Sequence, residues 1–322
     1  MSMKTTLSAL AGVWTLMFTL GSSTAHALDS CTDREVIRRV CQPSPGPRDD
    51  SGVGKTIGEI GALKERFRLS ARQVSPEAYL RLERIAGDVI SAYEEVVDGF
   101  PAEDRLWHRI RLGGFKLPSR EELSVSGISA ALVGPDGTYS FFKDTIELTP
   151  IILNDPEISE TELATVIAHE MGHFLDPEAF TYTQIPFRKN ARLSDLSQEL
   201  NACFEKNFVP KYFRRSATFE QYADWMAAQA MRLYVRRESD PETRRARAIN
   251  TAYFFCNKGT SKIWGPVDKF DFYVGLDAHP FGNMRIIAFM NNPDSLGAIG
   301  CAPELVGSDG APVPRCDFKD PG

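Results

Sequence analysis

The sequence predicts a mostly helical α+β fold in which a small antiparallel hairpin packs on a central helix. Apolar residues recur with the helical period through the ranges 77–97, 159–176 and 219–234. Between the first two ranges, residues 128–148 are rich in β-branched and aromatic residues around a Gly-Pro-Asp-Gly turn. Helices that surround one short antiparallel sheet are typical of an α+β domain.

The first 27 residues have the pattern of a secretory signal peptide. Lys4 is the only charge before Asp29, and Leu7–Leu20 is a largely apolar run that is short for a membrane span. Small residues at Ala25 and Ala27 favour cleavage after Ala27, although an uncleaved anchor is the alternative. We therefore expect an exported protein, periplasmic or secreted, with no transmembrane segment in the mature chain.

Composition divides the rest of the chain into three parts. Residues 28–54 contain two cysteines and a linker rich in Pro, Gly and Asp. We expect one globular domain over residues 55–310, beginning with a helix over Ile57–Arg68, and an irregular tail over residues 311–322. The net charge of −6 at pH 7 argues against a nucleic-acid partner, which would call for basic clusters.

All six cysteines follow the predicted cleavage site, and an even number in an exported protein favours disulfide bonds. Zinc binding by these cysteines is disfavoured because no Cys-x-x-Cys pair exists. The spacing suggests two short local loops and one bond between helices. The expected pairs are Cys31–Cys41, Cys301–Cys316 and Cys203–Cys256.

The clearest functional pattern is His169-Glu170-Met171-Gly172-His173, near the end of the predicted helix over 159–176. Ser159-Glu160-Thr161-Glu162 reads as a capping box that begins this helix. Two histidines four residues apart project from one helical face, close enough to bind one metal ion. The intervening Glu170 is placed to act on a water at that metal. The alternative is an ordinary helix with two solvated or core histidines.

A catalytic zinc ion commonly has three protein ligands, so a third ligand is expected. A third histidine further along the same segment is excluded, because Asp176 and Ala179 occupy the positions where that pattern needs glycine and histidine. Glu220 and Asp224 lie one turn apart on the helix over 219–234. Either they are a solvated pair of carboxylates, or Glu220 is the third ligand and Asp224 orients a ligand histidine.

This order of motifs resembles the gluzincin metallopeptidase family that includes the CAAX prenyl proteases and the bacterial heat-shock membrane proteases. The likeness covers about residues 125–290, roughly half of the chain. Unlike the membrane members, this chain shows no transmembrane run after its N-terminus, which points to a soluble exported branch. The segments that carry the resemblance are Thr145–Pro150, Glu162–His173, Glu220–Asp224, His279–Phe281 and Arg285–Ile286.

The resemblance implies a zincin-like metalloprotease domain with one zinc ion per chain. It implies that Glu170 is the general base and that His279 stabilises the transition state. It also implies that Asp224 and Arg285 hold the ligand residues in place without binding the metal themselves. The implied zinc ligands are His169, His173 and Glu220.

We therefore expect an exported zinc metalloendopeptidase that hydrolyses protein or peptide substrates. The alternative is a zinc-binding envelope chaperone or assembly factor with little or no proteolysis. Glu170 disfavours that alternative, because a protein that only binds clients has no use for a general base. A helical protein with coincidental histidines is a third possibility, and its metal content would distinguish it.

The exported protein is expected to begin at Leu28, because signal peptidase cleaves after small residues. Intact-mass measurement of the protein from the envelope or the medium tests this expectation. Retention of residues 1–27 would contradict it.

Overall fold

The computed structural model describes residues 30–41, 74–125, 137–140, 144–148, 150–154, 158–177, 200, 202, 203, 206, 218–258, 282–307 and 310–316. The predicted signal peptide, the predicted helix over Ile57–Arg68 and His279 lie outside the described residues. Within the described ranges, no helix is both long enough and apolar enough to cross a membrane.

Helices dominate the described part of the chain, and two short strands form its sheet structure. The mostly helical part of the fold prediction is therefore confirmed, while a sheet of two four-residue strands fits the α+β class only loosely. The elements are α1 (Asp33–Cys41), α2 (Pro76–Asp98), α3 (Ala102–Gly114), α4 (Arg120–Val125), β1 (Gly137–Ser140), β2 (Thr145–Leu148), α5 (Pro150–Asn154), α6 (Glu160–Phe174), α7 (Thr218–Arg236), α8 (Pro241–Lys258), α9 (Gly282–Met290) and α10 (Pro293–Ala298).

Helix α6, which contains the histidine motif, lies at the centre of the fold. The predicted capping box is present: the Ser159 side chain accepts from the Glu162 backbone N–H, and the Glu162 carboxylate accepts from Ser159. Every residue from Thr161 to Phe174 is buried, because α2, α7, α8 and the two strands all pack around the helix. The apolar stripe of the sequence predicted only partial burial.

The two strands pair antiparallel and pack on α6, as predicted, but their bounds differ from those predicted. The sequence predicted strands over 128–133 and 139–148 around the turn at residues 134–137. In the structure Gly137–Ser140 pairs with Thr145–Leu148, so both strands lie mostly within the range predicted as the second strand. Asp144 adopts a φ of 52°, a conformation that Asp tolerates better than most residues. Residues 128–133 lie outside the described part.

Helices α6 and α7 approach each other so closely that their backbones touch. A Cβ added to Gly172 would lie 2.6 Å from the Ala223 carbonyl oxygen and 2.7 Å from its Cα. Only glycine fits at this distance, because real Cβ atoms do not come closer than about 3 Å to backbone atoms. The contact lies between the two histidines' helix and the helix that carries Glu220 and Asp224.

Two buried hydrogen bonds fix this helix pair against its neighbours. The Tyr93 hydroxyl of α2 donates to the Ala168 carbonyl at 2.6 Å, one residue before His169. His108 of α3 lies 2.8 Å from the Tyr222 hydroxyl of α7, with its Nδ1 2.7 Å from the Asp104 carbonyl. Both bonds therefore hold the backbone beside the predicted metal ligands.

Arg111 of α3 joins the end of α6 to the turn of the hairpin. Its guanidinium donates to both Asp144 carboxylate oxygens, at 2.6 and 2.7 Å. It also donates to the Phe174 carbonyl and lies over the Phe174 ring. The hairpin is thus held at the C-terminal end of the motif helix.

The predicted disulfide pairs were wrong. Cys31 is bonded to Cys301, and Cys203 is bonded to Cys316, so both described bonds join distant parts of the chain. Cys41 is also disulfide-bonded, while the side chain of Cys256 lies outside the described part. Sequence spacing favoured short loops, but α1 packs against α8 and α9, and Thr32 bridges Val306. This packing brings Cys31 next to Cys301.

Gly172→Ala is expected to destabilise the protein by about 1–3 kcal/mol or more and to lower its metal content, because the new methyl group pushes α6 and α7 apart. Urea unfolding and metal quantification measure the two effects.

Gly87→Ala is the matched control, because Gly87 lies inside α2 with no atom within 4 Å of an added Cβ. This variant should be stabilised by roughly 0.5–1 kcal/mol, as glycine is unfavourable within a helix. Equal stability of the two variants would contradict the close contact at Ala223.

Candidate metal centre

His169, His173 and Glu220 come together in the core, with all three side chains buried. The Nε2 atoms of the two histidines lie 3.1 Å apart. The Oε2 atom of Glu220 lies 3.2 Å from Nε2 of His169 and 3.3 Å from Nε2 of His173. Three candidate ligand atoms therefore form a nearly equilateral triangle.

The size of this triangle suits a small tetrahedral metal ion. Zinc lies about 2.0–2.1 Å from nitrogen or oxygen ligands, which places neighbouring ligand atoms about 3.3–3.4 Å apart. The three measured separations agree with that edge within a few tenths of an ångström. This cluster can therefore hold a metal ion, with three protein ligands.

Asp224 and Arg285 lie directly behind His169. The Nδ1 atom of His169 is 2.9 Å from Asp224 Oδ1, and Arg285 donates to the same oxygen through two nitrogens, at 2.6 and 3.0 Å. An imidazole that donates through Nδ1–H to a carboxylate presents the lone pair of Nε2 to a metal. The carboxylate thus fixes both the tautomer and the ring orientation of His169.

The charges around His169 favour a cation at its Nε2 atom. Burial and the nearby Arg285 lower the pKa of His169, but hydrogen bonds to Asp224 and Glu220 outweigh them and raise it to about 9. Burial alone would raise the pKa of Glu220, yet His169 and His173 hold it far below its usual range. The carboxylates therefore favour positive charge between them, which a metal ion supplies as well as a proton does.

Glu170 lies next to His169 on α6 and is 5% exposed. Among the described residues, no side chain forms a hydrogen bond or an ion pair with its carboxylate. A buried carboxylate without a protein partner is costly, so its partner is expected to be water or a ligand. Because Glu170 directly follows His169 on α6, we expect that partner near the metal ligands.

The formal charge of the site also suits a divalent ion. With both imidazoles neutral, the site contains the buried carboxylates of Glu170, Glu220 and Asp224 and one described guanidinium, that of Arg285, which pairs with Asp224. Two negative charges then remain in a buried place, and buried charges need compensation. A divalent cation at His169, His173 and Glu220 would balance them.

Sequence reasoning had singled out six of the residues described at this site, His169, Glu170, His173, Glu220, Asp224 and Arg285, and missed the parts that hold them. Tyr93 fits the helical period of residues 77–97, which does not reveal its hydrogen bond to Ala168, and no sequence motif marks His108. The Gly172 contact could have been inferred, because a glycine within a buried helix often marks a close backbone approach. His279, the predicted stabiliser of the transition state, lies outside the described residues.

No protein-family model, curated protein or solved structure matches the chain. The gluzincin resemblance therefore stays a prediction that rests on the motifs of this sequence.

Glu220→Ala is expected to lose most of the bound metal, because it removes one of three ligands from the triangle. Metal quantification on the purified mature protein measures this loss. Glu242→Ala, which removes an exposed carboxylate from the first turn of α8, should keep the wild-type content.

A graded result is expected from Asp224→Asn, which leaves all three ligands in place. Loss of an outer carboxylate of this kind costs about 10–100-fold in metal affinity. Full metal occupancy in Glu220→Ala would contradict the assignment and make Asp224 the candidate third ligand.

Proposed function

We propose that this protein is an exported zinc metalloendopeptidase of gluzincin type. The observation that supports this proposal most is the triangle of His169, His173 and Glu220, with the buried residue Glu170 directly after His169 on the same helix. Two histidines and one glutamate form the ligand set of several zinc peptidases, in which the remaining position is open. The disulfide bonds support export, because such bonds persist in oxidising compartments.

The choice of zinc follows from the ligand chemistry. Imidazole nitrogens suit zinc, copper, iron and nickel, whereas magnesium and calcium prefer oxygen ligands. A tetrahedral arrangement of two nitrogens and one carboxylate with an open position is typical of catalytic zinc. Zinc at such a position lowers the pKa of water and polarises a carbonyl group.

The protein's own residues then divide the work of peptide hydrolysis. Glu170 accepts a proton from the attacking water and returns it to the leaving amine, as a general base and then a general acid. Asp224 holds His169 in the tautomer that binds metal, and Arg285 neutralises Asp224. Burial of α6 excludes bulk water from this group, which strengthens each electrostatic interaction.

Peptide binding requires a surface that accepts an extended chain. The hairpin of β1 and β2 packs on α6, the helix that carries His169 and His173. An edge strand gives main-chain hydrogen bonds to an extended peptide with little dependence on its sequence. We therefore propose proteins or peptides, rather than a small molecule, as substrates.

Glu170→Gln is expected to keep its zinc and to lower kcat for casein cleavage by about 10²–10⁴-fold, because the amide cannot accept the proton. Measurement of metal content and cleavage on the same sample separates the two roles.

Glu160→Gln is the matched control, because Glu160 belongs to the same helix but is exposed and pairs with Arg84. It should cleave casein as the wild type does. Wild-type cleavage by Glu170→Gln would exclude the general base, and a zinc-loaded wild-type protein without cleavage would favour the chaperone alternative.

His279→Ala tests the remaining residue that the resemblance implies. If His279 donates to the developing oxyanion, its loss should lower kcat by roughly ten- to a thousandfold with zinc content and KM nearly unchanged. Loss of zinc would make it a ligand, and wild-type kcat would show that it only shapes its turn.

A further inference from the structure

A cavity of about 130 Å³ lies between α7, α9, the start of α10 and residues 315–316. Its volume is room for about four water molecules. None of its lining residues belongs to the metal centre. Its wall includes Trp225, Ala228, Arg232, Asn291, Pro293 and Arg315.

Two arginine side chains at this cavity have N–H groups that form no hydrogen bond within the described part of the chain. The Nε atom of Arg232 is buried and makes no hydrogen bond within the described part of the chain, and the nearest carboxylate oxygen, Oδ2 of Asp294, is 3.8 Å away. That distance is too long for a hydrogen bond. Arg315 donates from one nitrogen to the Pro303 carbonyl, which leaves further N–H groups. The cavity therefore offers donors that suit an anion with several oxygens.

Asn291 contributes a hydrogen-bond acceptor to the wall of this cavity. Its side chain is buried, and Nδ2 donates to the carbonyls of Val313 and Pro314, at 3.2 and 3.1 Å. These two bonds fix the orientation of the amide. The Oδ1 atom is buried and has no hydrogen-bond partner among the described residues. An unsatisfied buried acceptor is unfavourable, so this oxygen calls for a ligand that donates.

We propose that this cavity binds an α-carboxylate whose α-carbon bears an N–H group, as in the C-terminal residue of a peptide or in a free amino acid. The carboxylate accepts from Arg232 and Arg315, and the N–H donates to Oδ1 of Asn291. Ala228, Ala288 and Pro293 supply apolar parts of the wall, which suits a small side chain. Asp294 disfavours a second negative charge on the ligand.

This site does not depend on the proposed function, because binding is measured without cleavage. A peptidase would nevertheless meet such groups constantly, since each cleavage creates a new C-terminal carboxylate. Absence of ligand binding therefore would not contradict the proposed metal centre, and absence of metal would not contradict the proposed ligand site.

Calorimetric titration of the mature, zinc-loaded protein with N-acetylglycine tests the proposal, because this compound carries the carboxylate and a peptide N–H. Saturable binding with one site per chain is expected. N-acetylglycinamide lacks the carboxylate and acetate lacks the N–H, so both should bind much more weakly. Glycine distinguishes the two sources: tighter binding of N-acetylglycine indicates a peptide end, and tighter binding of glycine indicates a free amino acid.

Arg232→Gln and Arg315→Gln should each weaken N-acetylglycine binding by roughly ten- to a hundredfold, the usual effect of losing a charge-assisted hydrogen bond. Arg236→Gln is the matched control, because Arg236 lies one turn further along α7, is half exposed and pairs with Glu95. It should bind as the wild type does. Unchanged binding in Arg232→Gln would place the ligand elsewhere, at the metal for example.

Three results would overturn the proposal. One is the absence of saturable N-acetylglycine binding to the wild-type protein. Another is equal binding of N-acetylglycinamide, which would remove the role of the carboxylate. The third is binding of inorganic phosphate as tightly as N-acetylglycine, which would make the cavity a general oxyanion site.

Discussion

The contact of the Gly172 backbone with the Ala223 backbone sets the geometry on which the metal centre depends. His169 and His173 lie within one turn of Gly172 on α6, and Glu220 and Asp224 lie within one turn of Ala223 on α7. With the backbones in contact, short side chains meet, and the three ligand atoms come within 3.1–3.3 Å of one another. A larger residue at position 172 would move the histidines of α6 away from the carboxylates of α7.

This arrangement buries several charged side chains, which is unfavourable, and a series of paired contacts between them offsets the unfavourable free energy. Arg285 binds Asp224, Asp224 orients His169, and His169 faces Glu220. Arg285 also lies over the Phe255 ring, 4.2 Å from its centroid, so its guanidinium is held by an aromatic face as well. Removal of one partner from such a chain leaves an uncompensated buried charge, which is why each member is sensitive to substitution.

The parts of this structure that could be predicted from the sequence are those that local patterns determine. The capping box at Ser159, the helix over Pro76–Asp98 and the carboxylates of α7 each follow from residues within a few turns. The strand bounds were mispredicted because Gly-Pro-Asp-Gly is a strong local turn signal, whereas the contact between Asp144 and Arg111 joins residues far apart in the chain. The disulfide pairs were wrong for the same reason, since Cys31–Cys301 depends on packing between the two ends of the chain.

Helices α7 and α9 carry both the metal centre and the cavity at Arg232. On α7, Asp224 supports the metal centre and its neighbour Trp225 lines the cavity. Helix α9 carries Arg285 of the metal centre, and Asn291, which lines the cavity, directly follows the last residue of this helix. A ligand that orders Arg232 and Asn291 therefore acts on the same interface that keeps Arg285 on Asp224. Packed interfaces of this kind do not deform freely, so free-energy changes at the two places are expected to be non-additive. The two sites consist of different residues, but both are built on helices α7 and α9.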